Sequence, residues 1–455
     1  MAFIIDSQTI SDLGIFGKPG AESVYSIFNR TCTSGGAAIL EEMFSYPLSN
    51  KAAIDERIKI FGQFEKLNVA FSFSTDLFGL AEQYLNNTDQ RTRLTHGQQT
   101  IGKKIVNLIN ADTEYKNLIK GVVAVRDIIS ELWQFLNRYS FDQCRSLAAD
   151  REAILAILNE ATFREMVEQK KGHLPDELLA SYDAVFRFKR RPAVRQMLQF
   201  IYRADVFVAV AKTVKERKFC FPVTMPDSES GLKIKDVYHL LVDNAVPNSI
   251  VLGPGKNMVF LTGANMAGKS TFMKTLGIAM FLAHAGFPVP ASSMEFSVMD
   301  GLFTTINLAD NLASGTSHFY AEVLRVKKVA KELSSSKKMF VIFDELFRGT
   351  NVKDAYEATV AIISAFATKK NSMFIISTHI IEAGEVLKQK CPDMQCIYLP
   401  TIMEGNMPRY TYQLQEGITN DRHGMIIIQN EGILKILNSR KTQQHELYSR
   451  HANIG

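Results

Sequence analysis

The amino-acid sequence predicts an α-helical domain followed by an α/β domain with a mostly parallel sheet. From about residue 22 to residue 217 the chain is poor in proline and glycine, and apolar residues recur at intervals of three and four, as in Leu118, Val122 and Val125. This is the periodicity of amphipathic helices. Further along, three short apolar runs alternate with helical patterns. Strands that are apolar on both faces are typical of parallel sheets covered by helices.

The composition is that of an ordinary globular protein. The chain has 455 residues, a formal net charge of +5, 46% hydrophobic residues and 22% charged residues, which leaves room for two or three domains and excludes a disordered chain. Its five cysteines show no C-x-x-C spacing, which disfavours a disulfide framework or a structural zinc site. No secretory signal is recognisable, and the most apolar stretch, Ile278 to Ala285, is too short to cross a bilayer. We therefore expect a cytoplasmic protein with no membrane association.

The helical pattern ends where the composition changes. Between Phe219 and Asp236 two prolines, a glycine and several acidic residues interrupt any helix. We therefore predict a helical domain over residues 1–218 and an α/β domain over residues 219–438. The remaining residues, 439–455, are polar and are expected to form a disordered tail.

A phosphate-binding motif follows the first apolar run. Residues 263–270 read GANMAGKS, which satisfies G-x-x-x-x-G-K-S/T between an apolar strand at Asn257–Thr262 and a helical pattern at Phe272–Ala285. This context disfavours the alternative, a glycine-rich turn without a ligand, and predicts a P-loop NTPase domain. Backbone N–H groups would face the phosphates of ATP, Lys269 would reach the β- and γ-phosphates, and Ser270 would bind Mg²⁺. The residues expected to bind the nucleotide are Gly263, Ala264, Asn265, Met266, Ala267, Gly268, Lys269, Ser270 and Thr271.

The other two apolar runs end in side chains that suit ATP hydrolysis. The run Met339–Phe343 leads into Asp344 and Glu345, at the edge where parallel sheets bind ligands. As a Walker B element, Asp344 would hold Mg²⁺ and Glu345 would polarise the attacking water, whereas adjacent acids at other strand ends are usually only solvated. The run Met373–Ser377 leads to His379. This histidine would sense the γ-phosphate or serve as a hydrogen-bonded packing residue, and its spacing alone leaves both open.

Several stretches together resemble the MutS family of DNA mismatch repair ATPases. TGANMAGKST resembles the phosphate loop of the family, FDELFRGTN its Walker B segment and STH its switch histidine. LASGTSHFYAE, from Leu312 to Glu322, resembles its signature loop. Ser26–Asn50 is similar to the core helix and RADVFVAVAKTVKERKFCFP to the helix that returns to the ATPase domain. No L-S-G-G-Q signature is present, which disfavours a transporter-type ATPase.

The resemblance implies an ABC/MutS-like ATPase with a helical core and lever domain before it. It further implies a homodimer with composite ATP sites, in which Ser317, or alternatively Ser314, reaches the γ-phosphate bound by the opposite subunit. ATP and Mg²⁺ would be the cofactors, and double-stranded DNA and a repair protein the partners. The segment Met425–Leu437 would contribute helices to the dimer interface, although an ordinary core helix remains the alternative.

The sequence also departs from the family pattern. Thr316 and Phe347 replace residues that are frequently Arg and Gly in the family. The core-like helix begins by about Glu22, so we expect a shortened form without the N-terminal mismatch-reading and connector domains. The aromatic strand pattern of the family's DNA clamp is not found, so the clamp is expected to be shortened or absent, with Lys170–His173 at the tip of the lever.

Two clusters of basic residues are candidates for DNA contact. One contains Arg187, Lys189, Arg190, Arg191 and Arg195 with two interleaved phenylalanines, and the other contains Lys212, Lys215, Arg217 and Lys218. Each could follow a phosphate backbone or form only a solvated helix face. We expect a MutS-like DNA-repair ATPase that couples ATP binding and hydrolysis to DNA engagement. The alternative is a nucleotide-switched dimeric scaffold that acts on a protein partner.

Overall fold

The structure is a computed structural model and describes most of the chain. It covers residues 2–18, 20–95, 108–169, 174–306, 318–347, 350–405, 407–419, 431–434 and 436–437. Ser314, Ser317, the expected lever tip at Lys170–His173, most of Met425–Leu437 and the expected tail at residues 439–455 lie outside these residues. None of the helices in the described ranges combines the length and the apolarity needed to cross a membrane.

The N-terminal half of the chain is helical, as its periodicity predicts. A 3₁₀ turn at Gln90–Thr92 and a π-helical turn at Ala184–Lys189 interrupt the α-helices. The two longest helices, α6 and α10, form the centre of this half. The α-helices are α1 (Ser7–Asp12), α2 (Val24–Phe28), α3 (Ser34–Ser45), α4 (Lys51–Lys66), α5 (Asp76–Asn86), α6 (Leu108–Arg138), α7 (Arg145–Leu158), α8 (Ala161–Glu168), α9 (Asp176–Asp183) and α10 (Arg191–Arg217).

Helix α10 holds the beginning of α3 through a buried carboxylate. Asp205 accepts the backbone N–H groups of Cys32 and Thr33 and the Thr33 hydroxyl, at 2.7–3.0 Å. Burial raises the pKa of Asp205, and these hydrogen bonds oppose the rise. A Cβ atom on Gly36 would lie 2.5 Å from Asp205 Oδ2, so the close approach of the two helices requires a glycine.

Strands appear after α10, and helices then alternate with them. The sheet with the most strands among the described residues, here called the long sheet, has six strands in the order β12-β9-β4-β8-β7-β6. Its neighbours from β9 to β6 run parallel, and only β12 is antiparallel. The strands are β1 (Val223–Thr224), β2 (Leu232–Val237), β3 (Asn248–Leu252), β4 (Met258–Gly263), β5 (Ser293–Phe296), β6 (Gly301–Thr305), β7 (Met339–Phe343), β8 (Met373–Ser377), β9 (Met394–Leu399), β10 (Thr401–Glu404), β11 (Met407–Tyr410) and β12 (Gln415–Glu416). The helices are α11 (Lys269–Ala285), α12 (His318–Ser334), α13 (Val352–Ala367) and α14 (Glu382–Lys390).

The three strands predicted from apolar runs are the central strands of this sheet. They are β4, β7 and β8, whose residues are buried on both faces apart from the partly exposed Gly263. A second sheet, ordered β1-β5-β2-β3, is largely antiparallel, and β10 and β11 form a separate hairpin. The predicted α/β architecture with a mostly parallel sheet is therefore observed.

The first residues of the chain attach to the edge of the long sheet. Residues 2–16, here named the N-terminal arm, include α1. Ile4 forms a parallel bridge with Gly301 of β6. The Asp12 carboxylate accepts the Thr304 hydroxyl at 2.8 Å and the Ile306 N–H at 2.9 Å. The arm thus makes its main contacts with the α/β part, although the predicted boundaries include it in the helical domain of residues 1–218.

Helix α11 connects the sheet with the helical half. The rings of Phe28, Phe44 and Phe61 surround Phe287, just beyond α11, with centroid distances of 4.8–5.4 Å. The Arg57 guanidinium donates to the Ala285 carbonyl at 2.7 Å, at the last residue of the helix. The phosphate-loop end of α11 and the helical half are therefore joined by one rigid element.

Candidate active site

The predicted phosphate loop forms a tight turn between β4 and α11. Gly268 has φ +99°, and a Cβ atom there would lie 3.1 Å from the Tyr412 ring. Met266 is also left-handed, at φ +69°, and its side chain is exposed. Because L side chains rarely adopt such angles, glycine is favoured at position 268 for both conformation and space. The loop amides thus come to the N-terminus of α11, where anions are favoured.

Lys269 is the first residue of α11 and is buried, with an exposed fraction of 5%. Its Nζ donates to the carbonyls of Gly263 at 2.9 Å and Ala264 at 3.2 Å, across the start of the loop. Burial lowers the pKa of Lys269, and the charges of Asp344 and Glu345 oppose that effect. The cation is therefore held inside the loop, close to the two acids.

Asp344 follows β7 and lies beside the phosphate loop. Its Oδ2 accepts a hydrogen bond from the Ser270 hydroxyl, and its Oδ1 accepts one from Ser377 Oγ at 2.5 Å. Hydroxyl and carboxylate oxygens are the ligands that Mg²⁺ prefers. Among the described residues no group of three or more His, Cys, Asp or Glu could hold a metal alone. The site thus suits a cation that takes its remaining ligands from phosphate and water, which is the usual mode of Mg²⁺ binding.

The predicted water-polarising acid and switch histidine are in contact. His379 Nε2 lies 2.8 Å from Glu345 Oε1, and both side chains are partly exposed. The backbone of Glu345 is left-handed, at φ +56°, and this turn directs the chain out of the sheet just after β7. The structure therefore brings together Lys269, Ser270, Asp344, Glu345 and His379, which the sequence spreads over 111 positions.

A cavity of about 960 Å³ extends from this cluster. One wall is lined by the loop residues Asn265 to Thr271, with Glu345 and His379. A second wall is formed by the segment between β2 and β3 and by Tyr412, which also lies beside Gly268 of the loop. Sequence reasoning missed this second wall, because its residues lie in loops without a motif. The local signals were the turn-favouring residues Asp243, Asn244, Pro247 and Asn248, and they indicate only a turn.

One residue of the first basic cluster is internal, and the other four are exposed or partly exposed. Arg187 is 2% exposed, and its guanidinium binds Asp183 through Nε at 2.6 Å and Nη2 at 2.8 Å. Arg190 pairs with Glu160, while Arg191 and Arg195 donate to Leu85 O at 3.1 Å and Asn86 Oδ1 at 2.8 Å. These partners fix the π-helical turn and the start of α10. The Arg187 guanidinium is therefore not available to a phosphate backbone, whereas Lys189 and Arg195 remain exposed.

The second basic cluster remains on the surface. Lys212 and Lys215 are exposed on the last turns of α10, and Lys218 is exposed just beyond its end. Lys212 lies 4.0 Å from Glu216, and Lys215 donates to Asn68 at 2.9 Å. Arg217 is half-buried and donates to the Leu240 carbonyl. Such weak, exposed pairing leaves the lysine charges accessible to an anionic partner.

Comparison with known protein families finds a match within the α/β part of the chain. Residues 259–447 match the family model of MutS domain V. This segment is therefore similar to the ATPase domain of the MutS family. The matched segment begins in β4 and contains the phosphate loop, the acids after β7 and His379. The resemblance predicted from the sequence is thereby confirmed over this segment, and at the level of the family it implies ATP use and DNA repair.

Proposed function

We propose that this protein is a MutS-like DNA-repair ATPase that couples ATP binding and hydrolysis to DNA engagement. One observation carries the proposal: within a MutS domain V, Lys269, Ser270, Asp344 and Glu345 converge at the carboxyl edge of a mostly parallel sheet. That convergence suits a P-loop NTPase fold. The proposal includes the boundaries 1–218 for the helical core and lever domain, 219–438 for the ATPase domain and 439–455 for the tail.

Each site residue has a role that its position supports. The loop amides and Lys269 bind the phosphates, and Lys269 exchanges its carbonyl partners for phosphate oxygens. Ser270 and Asp344 hold Mg²⁺, which neutralises charge on the phosphates when bound. Glu345 orients the attacking water, and His379, in contact with Glu345, senses the γ-phosphate. The wall formed by the segment between β2 and β3, which includes Val246, accommodates the nucleoside.

The proposal also includes a homodimer with composite sites. Ser317, or alternatively Ser314, lies just before α12 in the sequence and would reach the nucleotide of the opposite subunit. Apolar side chains near the loop and the C-terminus support a covered face, because Met266, Val352, Ile436 and Leu437 are all 63–77% exposed in the single chain.

DNA engagement is assigned to the surface lysines of α10. The internal use of Arg187 removes one cation from the first candidate DNA surface, and this observation favours the second candidate function, a nucleotide-switched dimeric scaffold with a protein partner. The two functions differ in the salt dependence of binding. Phosphate contacts release counterions, so the affinity for DNA must fall steeply as salt rises.

The deciding experiment is equilibrium binding to homoduplex, single-mismatch duplex and a branched junction across a salt series, with and without ATP. We expect binding that weakens linearly in the logarithm of salt concentration, together with Mg²⁺-dependent ATP hydrolysis. Glu345→Ala should retain ATP binding and lose about 100-fold or more in turnover, whereas Glu385→Ala, an exposed acid on α14, should leave turnover unchanged. Hydrolysis without salt-dependent DNA binding would select the scaffold function.

A further inference from the structure

Ser377, the last residue of β8, touches each of the three residues that follow β7. Its hydroxyl donates to Asp344 Oδ1 at 2.5 Å and accepts the Glu345 N–H at 3.0 Å. Its carbonyl accepts the Leu346 N–H at 3.2 Å. Ser377 is fully buried, with an exposed fraction of 0%.

These contacts restrain a segment that sterics disfavour. Glu345 and Phe347 have φ angles of +56° and +62°, which residues other than glycine rarely adopt. Such a conformation persists only where surrounding structure fixes it. The Ser377 hydroxyl and carbonyl supply that fixation on both sides of the Glu345 residue, because they bind its own N–H and that of Leu346.

The same hydroxyl sets the orientation of the Asp344 carboxylate. Since Ser377 occupies Oδ1, the second oxygen, Oδ2, is the one that faces Ser270 and the phosphate loop. Without the serine, the carboxylate could rotate about its last bond, and the terminal torsion of Asp has a broad energy well. The Ser377 hydroxyl therefore fixes the carboxylate of Asp344, the proposed Mg²⁺ ligand. It also fixes the backbone of Glu345, which is proposed to orient the attacking water.

We propose that Ser377 is a positioning residue of the ATPase site, which sets the Mg²⁺ affinity of the nucleotide complex and the placement of Glu345. The inference rests on the proposed function, since it assigns the metal to Ser270 and Asp344. Partners that orient a metal ligand typically change metal affinity by about 10- to 100-fold when they are removed.

The chain supplies a matched control in Ser372, which immediately precedes β8. Its hydroxyl also bonds across to the neighbouring strand, where it accepts the Met339 N–H at 3.1 Å, and it donates to the Lys337 carbonyl at 3.3 Å. Ser372 is buried like Ser377, but it lies at the opposite end of the strand from the acids. A merely structural role would therefore give Ser372→Ala and Ser377→Ala the same phenotype.

The test measures Mn²⁺ binding in the presence of ATP by electron paramagnetic resonance, with Mg²⁺-dependent hydrolysis as a second readout. We expect Ser377→Ala to weaken Mn²⁺ binding by about tenfold or more and to raise the Mg²⁺ requirement in parallel, with metal-free ATP binding unchanged. Ser372→Ala should match the wild type in both. Ser377→Thr retains the hydroxyl and should therefore restore much of the metal affinity. If the Ser377→Ala protein does not fold, Ser377→Cys replaces it as the test variant.

Two different results would overturn the two ideas separately. If the wild type binds no Mn²⁺ with ATP, the proposed function fails. If the wild type binds it and Ser377→Ala (or Ser377→Cys) does so as tightly as Ser372→Ala, the ATPase stands and the positioning role of Ser377 is wrong.

Discussion

At the scale of the residue, His284 shows how burial fixes a protonation state. Its Nε2 accepts the Met299 N–H at 2.9 Å, so the ring must be neutral and its Nδ1 carries the hydrogen that is donated to the Met280 carbonyl at 2.8 Å. Burial lowers the pKa of His284 from 6.5 to about 4, and the hydrogen bond to Met280 only partly opposes this. Protonation would place a second N–H against the Met299 N–H.

This geometry predicts a loss of stability in mild acid. The unfolded chain binds a proton at His284 below pH 6.5 and the folded chain does not, so the stabilisation is complete above pH 6.5 and is lost as the pH falls toward 4. We expect the free energy of unfolding to fall by up to about 1.4 kcal/mol per pH unit in this window from His284 alone. Urea unfolding at a series of pH values measures the slope.

An NMR titration of the His284 imidazole separates its contribution from those of other groups. The ring resonances should keep their neutral values down to pH 5, while the same histidine in urea should titrate near 6.5. A folded-state midpoint near 6.5 would show that the ring is not held neutral by the fold.

Sequence motifs located the residues that meet the phosphates but missed those that support them. Lys269, Ser270, Asp344 and Glu345 lie at fixed offsets from strand ends, so a pattern finds them. Ser377 and Tyr412 act through contacts between strands and loops that are distant in sequence. The ion pair of Asp183 with Arg187 could have been anticipated from their spacing of four residues on a helix, but its burial could not.

At the scale of the element, α5 and α6 pack at a contact that excludes a Cβ atom. A Cβ on Gly121 of α6 would lie 2.3 Å from the Tyr84 Cβ and 2.5 Å from its Cγ. The Tyr84 hydroxyl is in turn fixed by a 2.6 Å hydrogen bond to Asp183. Neither partner can move away without disturbing the buried Asp183–Arg187 ion pair.

We therefore expect Gly121→Ala to destabilise the protein by about 2–3 kcal/mol through overpacking, measured by urea unfolding. Gly79→Ala in α5 is the matched control, since no atom lies within 4 Å of its Cβ position. That substitution should stabilise the protein by about 0.5–1 kcal/mol through helix propensity. Equal effects of the two substitutions would contradict the close packing of α5 on α6.

Apolar periodicity identified the central elements and not the peripheral ones. The strands β4, β7 and β8 are continuous apolar runs, and the sequence predicts them almost residue for residue. The strands β1, β3 and β12 are short and partly exposed, so they carry little hydrophobic signal. Phe347 could be identified as a departure from the family, but its left-handed φ of +62° follows from the contacts after β7 and not from local preference.

At the scale of the whole molecule, the N-terminal arm connects α1, β6 and α12. Asp6 pairs with Arg325 and Lys328 of α12, and it caps α1 by accepting the Thr9 N–H at 3.0 Å. Arg325 is buried and also donates to the Thr304 carbonyl at 2.6 Å. Burial alone would raise the pKa of Asp6, but the hydrogen bonds from Arg325 and Lys328 hold it well below its usual range.

Removing the charge of Asp6 should be costly. We expect Asp6→Asn to destabilise the protein by about 3 kcal/mol, because the buried Arg325 guanidinium loses its carboxylate. Glu404→Gln, which breaks the exposed pair with Arg409, should change stability by about 0.5 kcal/mol or less. Comparable losses in chemical denaturation would contradict the special role of the buried pair.

The order of a helical part before an α/β part was predictable, since it follows from the change of pattern after Arg217. The attachment of the arm was not. Its contacts with β6 and α12 join residues about 300 positions apart, and no local pattern in the first sixteen residues specifies a partner.

The arm also has a consequence for self-association. Along β6, the last strand of the long sheet, backbone groups of Leu302, Thr304 and Ile306 bond to the arm. A chain shortened by its first sixteen residues would expose those groups as an open strand edge, which is a ready template for another copy. The arm thus covers this strand edge and prevents edge-to-edge aggregation. Proteolysis that removes the arm should therefore lower the solubility of the protein even where the nucleotide site is unchanged.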